Sequence, residues 1–270
     1  MASKQQTVAS FVETAPPGEL SNVVADIKAL APSEAQALAP AYKKYNEEQY
    51  ITVKLPDGNG TAILSPYNSL DNNRYFDTAT ETSFEVDHAS QKTSNPQPHA
   101  LETPHADLLR NLHKALTTTS SEHFPTSSHT ITPTNTDPST LTILLVATKF
   151  SPQNFWNARW RSTYTYNPST TTLAGSVKVD VHYYEDGNVR MNTRKEFASR
   201  EVSGGAEAVG REIAKLENKF QEDLNRGFGV LGEGCFKSLR RQLPVTRQRM
   251  EWEKFQGYRL GQDIGGGRAK

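Results

Sequence analysis

The sequence predicts an α+β fold: an N-terminal three-helix stalk, an antiparallel β-sheet globule covered by a long C-terminal helix, and then a basic amphipathic C-terminal segment. Three observations carry this expectation. Apolar residues recur at helical spacing in the first 49 positions, and the period changes to two from Tyr50. Helical spacing returns only after Ser203-Gly204-Gly205, with none of the regular βαβ alternation and Gly-rich turns of a parallel sheet.

The elements follow in order. Val8–Val12 is a short apolar turn stopped by Pro16-Pro17, and Leu20, Val23, Ile27 and Leu30 share one helical face up to Pro32. Ser33, a candidate N-cap beside Glu34, opens a third helix to about Gln49, which Pro40 should kink or divide. Ile51, Val53 and Leu55 then alternate with polar residues, and Asp57-Gly58-Asn59-Gly60 supplies a turn before Ala62-Ile63-Leu64. Arg74–Asp77 and Ser83–Val86 read as further strands, whereas His88 to His105, with Pro96, Pro98 and Pro104, reads as a loop. A helix is expected over 106–116, and the Ser/Thr/Pro-rich tract 117–140 reads as an insertion.

The second half is more strongly patterned. Leu141–Ala147 is a nearly continuous apolar run, as a strand buried on both faces requires. In Val177–Tyr183, valines alternate with Lys178, Asp180 and His182, and Glu185-Asp186-Gly187-Asn188 is a tight-turn signal, so an antiparallel meander is expected. Ala206, Val209, Ile213, Leu216, Phe220 and Leu224 then define one face of a helix to about Arg226, roughly 30 Å long at about 1.5 Å per residue. Glycines 227, 229, 232 and 234 should break it. The organisation is therefore 1–49 helical stalk, 50–203 sheet globule, 204–235 long helix with a Gly-rich exit, and 236–270 basic amphipathic tail.

At 270 residues, with 35% hydrophobic and 22% charged residues, the chain can bury a sizeable core and is not of disordered composition. One cysteine, Cys235, excludes an intrachain disulfide and suits a reducing compartment. The first residues hold no apolar secretory region, Ala2 stands where myristoylation needs glycine, and no apolar run approaches the roughly 18 residues of a membrane span. A cytosolic or nuclear location is expected.

Candidate chemistry is sparse. The seven histidines fall mostly in the middle of the chain, and His99 and His105 lack the cysteine or carboxylate array of a metal site. No metal site, cofactor or catalytic constellation is therefore expected, and the chain does not read as an enzyme. Trp156 and Trp160, interleaved with Arg159 and Arg161, should project to one side and pack, leaving the arginines solvated; net neutrality argues against a nucleic-acid binder. The informative stretch is Phe236–Leu260. Its seven cations, among them Lys237, Arg240, Arg241 and Arg247, face two carboxylates, a local +5 in a chain of formal net charge zero. Met250, Trp252, Phe255, Tyr258 and Leu260 stand among and beyond them. The segment could pack on its own domain or lie on an anionic membrane surface; an acidic-rimmed protein cleft fits best, with arginines steering and aromatics filling it.

Three long motifs carry a resemblance. They are Asn154-Phe155-Trp156-Asn157-Ala158-Arg159-Trp160-Arg161-Ser162, Val181 to Val189, and Phe236-Lys237-Ser238-Leu239-Arg240-Arg241-Gln242-Leu243-Pro244-Val245-Thr246-Arg247. In this order they resemble the F-actin capping protein alpha subunit family, and Val23–Ile27 and Leu64-Ser65-Pro66-Tyr67-Asn68 fit it too. The resemblance implies a non-enzymatic protein of the cytoplasmic, cortical actin cytoskeleton. It also implies an obligate heterodimer with a similarly folded beta subunit whose strands continue the same sheet. The C-terminal segment would then be a tentacle that binds actin at the filament barbed end and blocks subunit exchange without calcium. The family's basic positions fall on Lys237, Arg241 and Arg247, with Arg240 beside them; the docking tail falls on Trp252, Phe255, Tyr258 and Leu260. Inhibition by phosphoinositides through Lys237, Arg241 and Arg247 is implied as well, and capping regulators are further possible partners. The alternative reading is a phosphoinositide- or membrane-surface protein acting through the same basic helix.

Overall fold

The structure, a computed structural model, describes residues 3–58, 60–70, 73–101, 103–123, 126–134, 137–185, 188–230 and 234. It divides into a unit of residues 1–215 and a second unit from 216 onward. The eight C-terminal positions singled out above, Lys237 to Leu260, lie outside the described residues.

The first unit opens with three helices. α1 (Lys4–Glu13) starts at a reciprocal cap: Gln6 N donates to Ser3 Oγ and Ser3 N to Gln6 Oε1. α2 (Leu20–Leu30) follows, then a single 3-10 turn (Glu34–Ala37) and α3 (Ala39–Glu48). Ser33 does not cap; its hydroxyl donates to the neighbouring Glu34 carboxylate at 2.6 Å. The expected third helix is divided as predicted, into the 3-10 turn and α3, and Pro40 sits in the first turn of α3, where its missing N–H has no intrahelical acceptor to lose. Val8, Val12, Ile27, Leu38 and Tyr42 form the core of this helical part.

Two small antiparallel sheets come next, β1 (Thr52–Lys54) with β2 (Thr61–Ile63), and β3 (Arg74–Asp77) with β4 (Thr82–Asp87) and β5 (Lys92–Pro98). Strand β5 corrects the expected loop at 88–105. It is an outer strand, exposed along nearly its whole length, and such an edge tolerates Pro96 and Pro98. The motif ending in Asn68 has a structural cause. Asn68 Oδ1 accepts from Ser65 N and Ser65 Oγ, while its Nδ2 donates to the carbonyls of Ile63 and Phe76 at 2.8 and 2.9 Å. One buried amide thereby ties β2 to β3 with no polar atom wasted. Tyr45, Val53, Leu64, Tyr75 and Phe84 close the core around it.

The centre of the unit is a five-stranded antiparallel meander in the order β10-β9-β8-β7-β6. Its strands are β6 (Ser127–Thr134), β7 (Asp137–Ser151), β8 (Trp156–Asn167), β9 (Thr172–Tyr183) and β10 (Val189–Glu201). Helix α4 (Ala106–His123) precedes it. The expected helix 106–116 and insertion 117–140 are thus corrected: the helix continues to His123, and β6 and the start of β7 occupy the rest. Inside α4, Thr117 and Thr118 return their hydroxyls to the carbonyls of His113 and Lys114, which satisfies them without ending the helix. In β6, buried Thr130 and Thr132 flank Ile131, because β-branched residues fit a pleated surface.

Register assigns the faces. Leu141, Ile143 and Leu145 of β7 stand beside Tyr166, Tyr164 and Ser162 of β8, and these beside Leu173, Gly175 and Val177 of β9. This apolar face carries α4, whose Leu109, Leu112 and Leu116 are buried. Gly175 is required there: a Cβ would meet the Tyr164 ring at 2.2 Å, and Phe197 of β10 stacks parallel to that ring at 5.9 Å. On the other face Leu144 and Val146 pack with Ile63 of β2, so β7 is buried on both sides as its composition predicts. Helix α5 (Gly205–Val230) begins in the first unit with Val209 and Ile213 buried and Gly210 beside Ala115 of α4. In the second unit it continues past Arg226, through Gly227 and Gly229, to Val230; glycine costs a helix about 1 kcal/mol but does not forbid it.

His113 of α4 and His129 of β6 face each other with ring centroids 4.6 Å apart. Burial, reinforced by His113, pushes His129 down to about 4, while Asp77 acts on His113 in the opposite sense to its burial. Unfolded, the His129 imidazole titrates near 6.5, so between about 6.5 and 4 the unfolded chain binds the extra proton. Its contribution to stability is complete above pH 6.5 and is lost as pH falls towards 4. Urea unfolding across that window should show a falling midpoint that His129→Leu flattens; parallel curves would contradict the assignment.

Candidate protein-interaction interface

The second face of β8 and β9 is polar and nevertheless buried at Asn157, Arg159, Asp180 and His182, while Lys178 and, on β10, Asn192 and Arg194 are exposed. Asn157, Arg159 and Arg161 of β8 stand directly opposite His182, Asp180 and Lys178 of β9, and Asp180 and His182 opposite Asn192 and Arg190 of β10. Asp180 is 1% exposed and Arg159 5%. The cover is the N-terminal helical part. Glu19, at the start of α2, places Oε1 2.6 Å from His182 Nδ1 and 3.0 Å from Asn157 Nδ2, and His182 Nε2 meets Asn188 Oδ1 at 2.7 Å. Arg190 holds Asp180 through both Nε and Nη2 and also donates to the carbonyl of Thr14, the residue that ends α1. Asp180 accordingly raises Arg190 above its usual value. Arg161 donates to the carbonyl of Glu48 at the end of α3, and Tyr50 Oη lies 2.7 Å from Thr163 Oγ1.

Close approach is built into the same seam. Gly18 adopts φ +78°, and a Cβ there would stand 2.9 Å from the ring of Phe150. That ring in turn lies 5.7 Å from the Arg159 guanidinium. The expectation that Arg159 and Arg161 are solvated is therefore corrected. They lie beneath α1 to α3, and burial lowers both below their usual value. The alternation Lys178/Asp180/His182 resembles a solvent face, and nothing in its spacing announces that helices more than a hundred residues earlier cover it. Trp156 and Trp160 do share the opposite face, as predicted.

One long edge of the sheet has no partner strand among the described residues. β10 is an outer strand of 13 residues, paired with β9 on one side only. A row of backbone N–H and C=O groups is thus free to pair with another chain. Its charged side chains, among them Arg194, Lys195 and Glu196, are exposed. The opposite edge, β6, is shorter, contains Pro133, and is flanked by α4 and β2. Among the described residues no group of three or more histidines, cysteines and carboxylates could hold a metal ion. Among the described residues the β10 edge is the stretch of sheet most open to pairing with another chain.

A sequence model of the F-actin capping protein alpha subunit family matches residues 8–263. The chain is 51% identical over 273 residues to an F-actin-capping protein subunit alpha of Neurospora crassa, covering all of both chains. It is 52% identical over 266 residues to one of Gibberella zeae, covering 97% of each. A fission-yeast relative, from Schizosaccharomyces pombe, is 32% identical over 263 residues, with 95% of this chain and 98% of that one covered. Among solved structures, the homodimeric actin capping protein alpha subunit of Plasmodium berghei superimposes with a TM-score of 0.70 at 19% identity, over 91% of this chain and 98% of that one. The chain belongs to the F-actin capping protein alpha subunit family. The structural likeness establishes the shared mixed fold of helices and antiparallel sheet.

Asp180 is the carboxylate on which the buried seam turns. Asp180→Ala leaves Arg190 beneath the helices without its charge partner, and such breaks cost about 3–5 kcal/mol. Asp180→Ala/Arg190→Met should recover a large part of that loss in thermal unfolding. A double variant no more stable than the single one would place the cost elsewhere.

Proposed function

We propose that this chain is one subunit of a heterodimer that binds the barbed end of an actin filament and blocks both addition and loss of subunits, without calcium. The observation that carries this reading is the family match over residues 8–263, which runs through the basic C-terminal segment as well as the folded body. The bare edge of β10 supports the assembly: a strand of a similarly folded beta subunit pairing along it would extend the five-stranded sheet and satisfy its free backbone groups. Lys237, Arg240, Arg241 and Arg247 steer and anchor the chain on actin. Trp252, Phe255, Tyr258 and Leu260 fill an apolar cleft on it. Lys237, Arg241 and Arg247 also receive phosphoinositide headgroups, so lipid and actin compete for one basic patch. The protein acts by occupancy rather than catalysis, in the cytoplasm at cortical actin.

The division of labour between body and tail is directly testable. In a seeded pyrene-actin elongation assay, the co-expressed heterodimer should stop barbed-end growth; undiminished growth would sink the reading. Removing residues after Val245 should weaken capping severely while the heterodimer stays soluble and intact by gel filtration. Expressed without a partner, the chain should be poorly soluble, since the β10 edge and part of its apolar surface lack cover.

A further inference from the structure

Three neighbouring strands of the central sheet carry a cation at one register. Arg161 on β8 stands directly opposite Lys178 on β9, and Lys178 directly opposite Arg194 on β10. Directly opposed side chains in an antiparallel sheet stand about 5 Å apart at Cβ, and like charges so placed are destabilising. The compensation within the chain is incomplete. Arg194 pairs with Glu196 two residues along the same strand. Arg161 spends one guanidinium arm on the backbone carbonyl of Glu48, and its Nε is buried with no hydrogen-bond partner among the described residues. Lys178 has no carboxylate within ion-pair distance among the described residues, and the nearby Asp180 is held by Arg190.

This row lines a cavity of about 150 Å³ whose other walls are Tyr50, Tyr67, Thr163, Ser176 and Glu48. That volume is ample for a small ion. Residues bearing hydroxyls, an ammonium and two guanidinium groups line it with Glu48, and Lys178 and Arg194 are exposed to water. The Arg161 guanidinium is largely withdrawn from water, and its burial works against its charge. An anion in the cavity would relieve that cost and the repulsion along the row at once. Guanidinium groups match the oxygen geometry of phosphate.

We propose that this cavity is a binding site for a small oxyanion of the phosphate class, held between Arg161, Lys178 and Arg194. It lies under the junction of α3 with β8 and β9, so an occupied site fastens the helical part to the sheet. The site is separate in sequence from the basic C-terminal segment, and it rests on the proposed function only in that the chain is purified as the heterodimer.

Inorganic phosphate is the probe. The full chain, purified with its partner subunit, is unfolded thermally in phosphate and in chloride at equal pH and ionic strength. The wild type should show a saturable rise in midpoint specific to phosphate. Lys178→Gln should lose that rise and unfold in chloride at or above the wild-type temperature, because the opposed charges are relieved. Tyr67→Phe, which keeps every charge, should raise the half-saturating phosphate concentration several-fold. Equal midpoints in the two salts, or a phosphate response that Lys178→Gln retains in full, would overturn the site. Should Lys178→Gln not fold, an unchanged half-saturation in Tyr67→Phe overturns it instead.

Discussion

The structure depends on a polar seam. Asp180 sits almost wholly out of water in the middle of a β-sheet, in direct contact with Arg190 and close to buried Arg159. A sheet with such a face is stable only if something polar covers it, since an unpaired buried charge costs far more than it returns. The cover is made of helix ends. Thr14 offers a carbonyl where α1 stops, Glu19 a carboxylate where α2 starts, and Glu48 a carbonyl where α3 stops. Helix ends are where backbone oxygen is unspent. The seam therefore joins two parts whose polar needs are complementary, and its geometry is specific in a way apolar packing is not.

That arrangement also frees the other features to act. With one face covered in part by α1 to α3 and the other carrying α4, the sheet has two edges left among the described residues. β6 is blunted by Pro133 and its neighbours, while β10 stays open for 13 residues. Exposed charges along β10 guard against indiscriminate pairing, since a matching strand must meet them with complementary groups.

Much of this was legible beforehand. Leu141–Ala147 announced a doubly buried strand, the Asp186-Gly187 turn announced a hairpin, and the three long motifs placed the chain in its family. The misses have physical causes. Thr117 and Thr118 stay in α4 because their hydroxyls find carbonyls one turn back, and Pro96 and Pro98 stay in β5 because an edge strand spares their missing N–H groups. Gly227 and Gly229 lower helix propensity without ending α5.

By itself the sequence determined the succession of a helical part, an antiparallel sheet and a long helix, the segregation of positive charge into Phe236–Leu260 and the family. These depend on period, turn chemistry and motif order, which are local properties of the chain. Only the tertiary structure decided that Arg159, Asp180 and His182 are buried, and that Arg161, Lys178 and Arg194 share one register around a cavity. An alternating polar strand looks the same whether water or a distant helix lies above it. Contact across more than a hundred residues leaves no period to read.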